Sequence, residues 1–296
     1  MVDSNYGRDL NMKLNTQNKF AILITTKGKE NILLSLEKLK GVNIPIYIVT
    51  PEDYSSIKGV KIIKDKGKGK PEALNVAFKE IKEDILILTD GDVYTDKKSI
   101  DNIIKNFDSQ TGLITGKVIS LNKKDNMIGY WSHFLTYAAN TMRAKKYKNG
   151  EFFEGSGYLL AIRKNLIKNI DPNALADDGV ISKIIYDSKY KEKYLENSKV
   201  YVKYPDNFKD WIKQKKRSAG GYKQNITEKT YGNRSFLKEA RYGIKIFFTY
   251  PKSFKEFFYT LVLFIARVYL WILIEIDIKI LRKNPNDIWV RVESTK

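Results

Sequence analysis

The stretch Ile85-Leu86-Ile87-Leu88-Thr89-Asp90-Gly91-Asp92 constrains this chain more than any other. Four consecutive apolar residues followed at once by a turn signal read as a strand buried on both faces, the pattern of a parallel sheet. Two carboxylates stand at its carboxyl end, one residue apart, where open α/β sheets bind ligands. Side chains so close repel each other unless a cation lies between them. A hard divalent ion with oxygen ligands, completed by a phosphate, meets that need. Asp90 and Asp92 are therefore the candidate metal ligands, and Mg2+ or Mn2+ the expected cofactor.

Composition narrows the chemistry. The 296 residues contain no cysteine and one histidine, His133. Thiolate metal sites and disulfides are excluded, and a histidine-based zinc site or Ser-His-Asp triad is disfavoured. Metal chemistry must then run on carboxylates. Net charge is +19, from 53 basic and 34 acidic residues, which favours a phosphorylated or otherwise anionic partner. The lysines are scattered rather than gathered in one stripe and no nucleic-acid motif appears, so no nucleic-acid partner is expected. The first residues, Met1 to Lys13, are polar and charged, unlike a signal peptide.

Upstream of the acidic strand, Phe20 to Thr25 reads as a first buried strand, ending at Thr25-Thr26-Lys27-Gly28 where backbone amides meet a ligand. Glu30 to Leu39 has a helical apolar period, and Ile44 to Val49 and Val60 to Ile63 read as strands. This order opens a doubly wound nucleotide-binding domain. Lys64-Asp-Lys-Gly-Lys-Gly-Lys-Pro71 is a glycine-lysine loop leading into a helix over 72–81. Its positive charge and helix amino terminus suit phosphate, although the P-loop spacing is absent.

Downstream, the pattern predicts a helix over 98–107, a strand over 112–120 and a long aromatic-rich helix over 127–146 that carries His133. Gly155 and Gly157 precede a strand over 158–162 and mark a close approach of backbone to ligand or neighbouring strand. Asp177 and Asp178 open a helix, where the dipole favours negative charge. Capping accounts for one of them; the second is a candidate general base. Gln214 and Arg217 lie three apart on a basic helix and share a face, with Arg217 suited to grip phosphate as a fork. Phe257 to Ile276 is twenty residues interrupted only by Arg267 and Glu275. Its length fits a membrane span. A central arginine costs about 2.5–3.5 kcal/mol there, and flanking lysines with Tyr259, Tyr269 and Trp271 suit a helix lying in the interface. Ile288 to Lys296 alternates like a short strand.

In order and spacing these motifs resemble the family-2 glycosyltransferases of the GT-A fold, from about Phe20 to Gly221. Gly69-Lys70 with Ala73-Leu74-Asn75 resembles the family's GKxxALN loop, Asp90-Gly91-Asp92 its DxD, and Gly155 to Arg163 its glycine-rich acceptor segment. Asp177-Asp178 stands at its Glu-Asp, and Gln214 to Ser218 at its QxxRW. The tail from Trp289 to Lys296 resembles the ending of membrane-associated members. The resemblance implies an α/β fold, a Rossmann-like mixed sheet flanked by helices, with a C-terminal hydrophobic helical extension. It implies an inverting transfer from a nucleotide-sugar donor to a hydroxyl or phosphate of a glycan or lipid-linked acceptor. Asp178 is the implied base, with Gly155, Gly157 and Asp177 on the acceptor side. Thr25, Lys70, Asn75, Asp90, Asp92, Gln214 and Arg217 are implied on the donor side.

Two departures matter. Thr50-Pro51-Glu52-Asp53 replaces the usual pair of aspartates that reaches the base, and Ser218 replaces the tryptophan of QxxRW, which favours transfer of a single sugar. The expected organisation is an arm over 1–18, the GT-A domain over 19–225, and a membrane-associating helical region and tail over 226–296, placed on the cytoplasmic face of the cell membrane. A HAD-type phosphatase also carries a DxD after a buried strand, but Tyr94 occupies the position where that motif has Thr or Val. A non-catalytic basic module binding membrane or nucleic acid is the remaining alternative.

Overall fold

In the computed structural model, which describes residues 18–28, 32–54, 57–174, 176–220 and 236–277, period-2 alternation along the first strand divides the molecule into layers. On β1 (Phe20–Thr25), Ala21 and Leu23 face one core and Ile22 and Ile24 the other. The first core is covered by α2 (Lys70–Glu80) and α5 (Asp177–Asp187) through Leu74, Phe78, Ile181 and Ile185. The second is covered by α1 (Ile32–Lys38) and α3 (Lys97–Asn106) through Ile32, Ile100 and Ile103. Both faces of the sheet are thus buried, which explains its uninterrupted apolar strands.

The sheet has eight strands in the order β3-β2-β1-β4-β7-β6-β8-β5. Strands β2 (Ile46–Thr50), β3 (Val60–Lys64) and β4 (Ile85–Asp90) join β1 in a parallel half. The doubly wound pattern stops there, because β7 (Leu160–Arg163) runs antiparallel between β4 and β6 (Thr111–Ser120). The last two strands are β8 (Lys191–Val202) and β5 (Val93–Thr95). Nothing in 191–202 announces a strand to a reader of the sequence. Its charged residues hide the alternation, and only Tyr194, Ser198, Val200 and Val202 are buried.

A two-residue link decides the shape of the sheet. Only Gly91 and Asp92 separate β4 from β5, a reach of about 10–11 Å from Asp90 to Val93. Yet β5 pairs with β8 at the far edge. The sheet must therefore curl until that edge returns to the end of β4. The bend sits where the β6–β8 register jumps from Gly116↔Leu195 to Lys117↔Lys199, a bulge that leaves part of β8 unpaired and sharpens the twist.

A third group of helices packs beside the sheet. These are α4 (Met127–Lys148), α6 (Phe208–Gly220), α7 (Phe236–Thr249) and α8 (Phe254–Glu275). Tyr130, Trp131, Phe134, Trp211, Leu263 and Ala266 form their shared core. Tyr130 OH and Thr260 Oγ1 lie 2.8 Å apart, and the Trp131 indole N–H donates to the Tyr259 carbonyl at 2.7 Å. The aromatic residues of α4 thus serve packing. His133 does too: Nε2 hydrogen-bonds the Asn122 carbonyl at 2.6 Å, and burial holds its pKa below the usual value. An ion pair between Lys216 and the buried Asp277 ties the end of α8 to α6. The arm before residue 18 and the tail from Ile288 lie outside the described residues.

Candidate active site

The site forms where the carboxyl ends of β1 and β4 meet the amino ends of α2 and α5. Parallel register places Thr25 beside Asp90, and the Thr25 hydroxyl donates to Asp90 Oδ1 at 3.1 Å. Asp90 leaves the sheet at Gly91, where a Cβ would stand 2.4 Å from Thr26 Oγ1; a side chain here would force Thr26 aside. Asp92 follows on the exposed turn.

Lys70 at the start of α2 organises the carboxylates. Its Nζ lies 2.6 Å from Asp90 Oδ1 and 3.6 Å from Asp177 Oδ2. Burial opposes the charged ammonium, but the charges of Asp177, Asp90 and Asp178 outweigh it and raise the Lys70 pKa. Burial pushes the Asp177 carboxyl up to about 6; Lys70 pulls it back, while the charges of Asp178 and Asp90 add to the rise. Three carboxylates gathered around one ammonium leave a net negative site that a further cation would relieve.

Asp178 faces the glycine loop. The Gly157 N–H donates to Asp178 Oδ2 at 3.1 Å and the Gly179 N–H to Oδ1 at 2.9 Å, so both carboxylate oxygens are oriented by backbone. A Cβ on Gly157 would lie 3.3 Å from the Asp178 Cβ, which makes this a tight approach. The Gly155 N–H donates to Ser182 Oγ at 2.9 Å, one turn into α5. The Thr89 hydroxyl donates to the Tyr158 carbonyl at 2.9 Å and ties the same loop to the end of β4. Neither Ser182 nor Thr89 carries a signal in sequence that marks it as a brace of the site.

Other expected site residues fall elsewhere. Asn75 engages both ends of its amide with the backbone of Ile170, donating to the carbonyl at 2.7 Å and accepting from the N–H at 2.8 Å. It braces the segment leading to Asp177. Arg163, the arginine closing the acceptor-like segment, pairs in register with Ile85 at the start of β4, about 17 Å along the strand from Asp90. It donates to the Thr111 and Asp108 carbonyls, so it serves the far end of the sheet. Gln214 is buried on α6, its side-chain carbonyl without a hydrogen-bond partner among the described residues. The Arg217 side chain lies outside the described residues. Asp53, after β2, forms an ion pair with Lys64.

Among the described residues, no three acidic or histidine side chains converge closely enough to cage a metal on their own. The donor set still fits a hard divalent ion of the kind that takes one or two carboxylates and completes its shell with substrate phosphate and water. Asp90 and Asp92 are the carboxylates that stand one residue apart at the end of β4.

Residues 52–221 match the family model described as glycosyltransferase like family 2. The chain is 26% identical over 215 residues to a probable glycosyltransferase, YdaM, of Bacillus subtilis, a match covering 70% of this chain and 51% of that protein. A shorter match, 33% identical over 81 residues, joins it to the 2-phospho-L-lactate guanylyltransferase of Methanocaldococcus infernus, covering 25% of this chain and 38% of that one. The chain thus spans about half the length, or less, of the curated relatives it matches. Among solved structures, the mannosyltransferase PcManGT from Pyrobaculum calidifontis in complex with GDP-Man and Mn2+ shares the fold. Its TM-score is 0.56 at 14% identity, over 93% of this chain and 84% of that chain.

Proposed function

The chain belongs to the glycosyltransferase-like family 2, and on that premise we propose that it moves one sugar from a nucleotide-sugar donor to an acceptor met at a membrane surface, with inversion at the anomeric carbon. The observation that carries this reading is the convergence of Asp90, Asp177 and Asp178 on Lys70. Residues far apart in the chain meet at the carboxyl edge of the sheet, where ligands of this architecture bind.

Asp90 and Asp92 would hold Mg2+ or Mn2+ together with diphosphate oxygens and water. When bound, such an ion neutralises charge on the departing nucleoside diphosphate. Lys70 adds a fixed positive charge beside Asp90, and Thr25 orients that carboxylate. Asp178 accepts the proton of the acceptor hydroxyl as its oxygen bonds to the anomeric carbon and the bond to the donor diphosphate breaks. The Gly157 and Gly179 N–H groups keep the base aimed. Asn75 acts by position, holding the approach to α5. Gln214 and Arg217, on α6, complete the donor side in this reading, and the PcManGT complex of the same fold holds GDP-Man and Mn2+.

Membrane contact falls to α8. This helix has 22 residues and meets the length and apolarity of a span. One face is buried through Thr260, Leu263, Ala266, Leu270 and Ile274. The other exposes Phe254, Phe258, Leu261, Ile265 and Ile272, joined by Ile244 and Phe248 of α7. A helix packed on the domain for most of its length, with an apolar stripe outward, suits lying in the interface rather than crossing it. In this reading the domain sits on the cytoplasmic face of the membrane and meets a lipid-linked or membrane-delivered acceptor.

The test is a thermal-shift panel of UDP-, GDP- and TDP-sugars, each with and without Mn2+. One nucleotide class should raise Tm only when the ion is present. No shift with any donor in either condition would overturn the reading.

A further inference from the structure

Lys70 opens α2, directly before Pro71, and proline restricts the backbone of the residue ahead of it. The side chain is then what places the ammonium. A cation at a helix amino terminus is opposed by the helix dipole. The carboxylates facing Lys70, not the helix that carries it, therefore account for its position.

Among the described residues, the Thr25 hydroxyl and Lys70 Nζ reach the same oxygen of Asp90, Oδ1, at 3.1 and 2.6 Å. Nζ also lies 3.6 Å from Asp177 Oδ2. The Lys70, Asp90 and Asp177 side chains are 27%, 23% and 16% exposed, so these charges are screened less than on an open surface. A divalent ion arriving at Asp90 meets the ammonium in one of two ways. Ligation through Oδ1 displaces Nζ from its contact. Ligation through the other oxygen sets two like charges across one carboxylate, which is unfavourable. Either way Lys70 opposes the ion. A nucleoside diphosphate changes the balance, because its oxygens offer negative charge to the ion and to the ammonium together.

We propose that Lys70 competes with the divalent ion for Asp90 and so makes ion binding conditional on a diphosphate. The competition concerns Lys70, Asp90 and the ion alone; the diphosphate rests on the glycosyltransferase reading. Lys70 is in this sense a positioning residue. It keeps Asp90 paired until the donor arrives, then turns to the phosphate oxygens. By linkage, the factor that the diphosphate adds to ion affinity is the factor that the ion adds to diphosphate affinity. A lysine serving the fold alone would lower Tm on removal without tightening the ion.

The experiment is titration of the full chain with Mn2+ at neutral pH, followed by the electron paramagnetic resonance signal of the free ion, alone and with GDP or UDP. It is run on the unmodified chain, K70M, K70Q, K70R and K70M/D90N, with Tm recorded for each. Without nucleotide, K70M and K70Q should bind Mn2+ about tenfold tighter than the unmodified chain, within the usual range of coupled sites. K70R, which keeps the charge, should stay close to the unmodified chain, and K70M/D90N should lose the gain. With the nucleotide that binds, the unmodified chain should gain about tenfold in Mn2+ affinity and K70M much less. Folded K70M and K70Q that bind Mn2+ no tighter than the unmodified chain overturn the proposal, as does a gain that persists in K70M/D90N. The transferase reading is scored separately. If neither nucleotide alters Mn2+ binding while K70M and K70Q still gain, the competition at Asp90 stands and its link to diphosphate falls with that reading. If a nucleotide strengthens Mn2+ binding and K70M gains nothing, the transferase reading stands and the competition falls.

Discussion

Asn75 grips Ile170 across 95 residues of sequence, with its amide donating to the Ile170 carbonyl at 2.7 Å and accepting from the Ile170 N–H at 2.8 Å. One helix, α2, thereby fixes two things at once: the Lys70 ammonium at its start and, a turn later, the segment that delivers Asp177 and Asp178. N75A leaves both backbone groups of Ile170 without these partners. The expected loss is about 1–3 kcal/mol, read as a lower midpoint in urea with the slope unchanged. A midpoint equal to that of the unmodified chain would show that the bracing carries no weight.

Asp178 is held by backbone N–H groups on both oxygens, so exchange of its carboxylate for an amide keeps the shape and removes the basicity. D178N should lower transfer by about a hundredfold to ten-thousandfold while nucleotide-sugar binding, followed by thermal shift, changes little. Transfer at the original rate would exclude Asp178 as the base.

Lys70 balances three carboxylates. In K70M that balance is gone, and the Asp177 carboxyl, already raised by burial, rises further. A carboxyl with a folded pKa above its unfolded value favours the folded state at low pH and loses that advantage as pH climbs through the folded value. K70M should therefore melt several degrees lower than the unmodified chain at pH 8 and approach it at pH 5. Differential scanning calorimetry at the two pH values checks the sign; a deficit that grows toward pH 5 contradicts it.

Glu192 lies in β8 with Oε1 buried and without a hydrogen-bond partner. Burial pushes its carboxyl up to about 8, with the Phe153 backbone and Lys146 only partly offsetting the rise. The group is protonated in the folded chain across a window where the unfolded chain has lost the proton. Its contribution to stability is full below the ordinary glutamate value of 4.5 and is lost as pH rises through about 8. E192Q, which cannot ionise, should raise Tm by a few degrees at pH 8.5 and leave it nearly unchanged at pH 4.5.

Phe258 and Ile265 are 53% and 61% exposed on the outer face of α8. Replacing both with glutamate touches little of the core, and exposed positions of this kind usually change stability by within about 0.5 kcal/mol each. F258E/I265E should fold, remain monodisperse and fail to float with vesicles containing anionic lipid. Flotation equal to that of the unmodified chain would remove α8 from the membrane contact.

The strands β1, β2 and β4 were readable because burial on both faces demands apolar residues without interruption, and the carboxylates at 90, 92, 177 and 178 were readable because charge is conspicuous at the end of such runs. Helix α8 was readable because both its buried and its exposed face are apolar, within three residues at its start and one at its end. Strand β8 was not, since Lys191, Glu196, Asn197 and Lys199 face solvent and break the alternation. The grouping of Arg163 with the acceptor segment failed because antiparallel pairing carries that residue to the opposite end of β4.

By itself, then, the sequence determined which segments are strands or helices wherever the local period is strong, and which residue types arrive at the carboxyl edge. Tertiary structure alone decided that Lys70 stands among three aspartates, that Asn75 holds backbone rather than facing outward, and that α8 lies along the domain with one face outward. The reason is physical. Local periodicity depends on the few residues of a turn or a strand, whereas these contacts depend on how far the sheet curls and on the register in which distant strands pair.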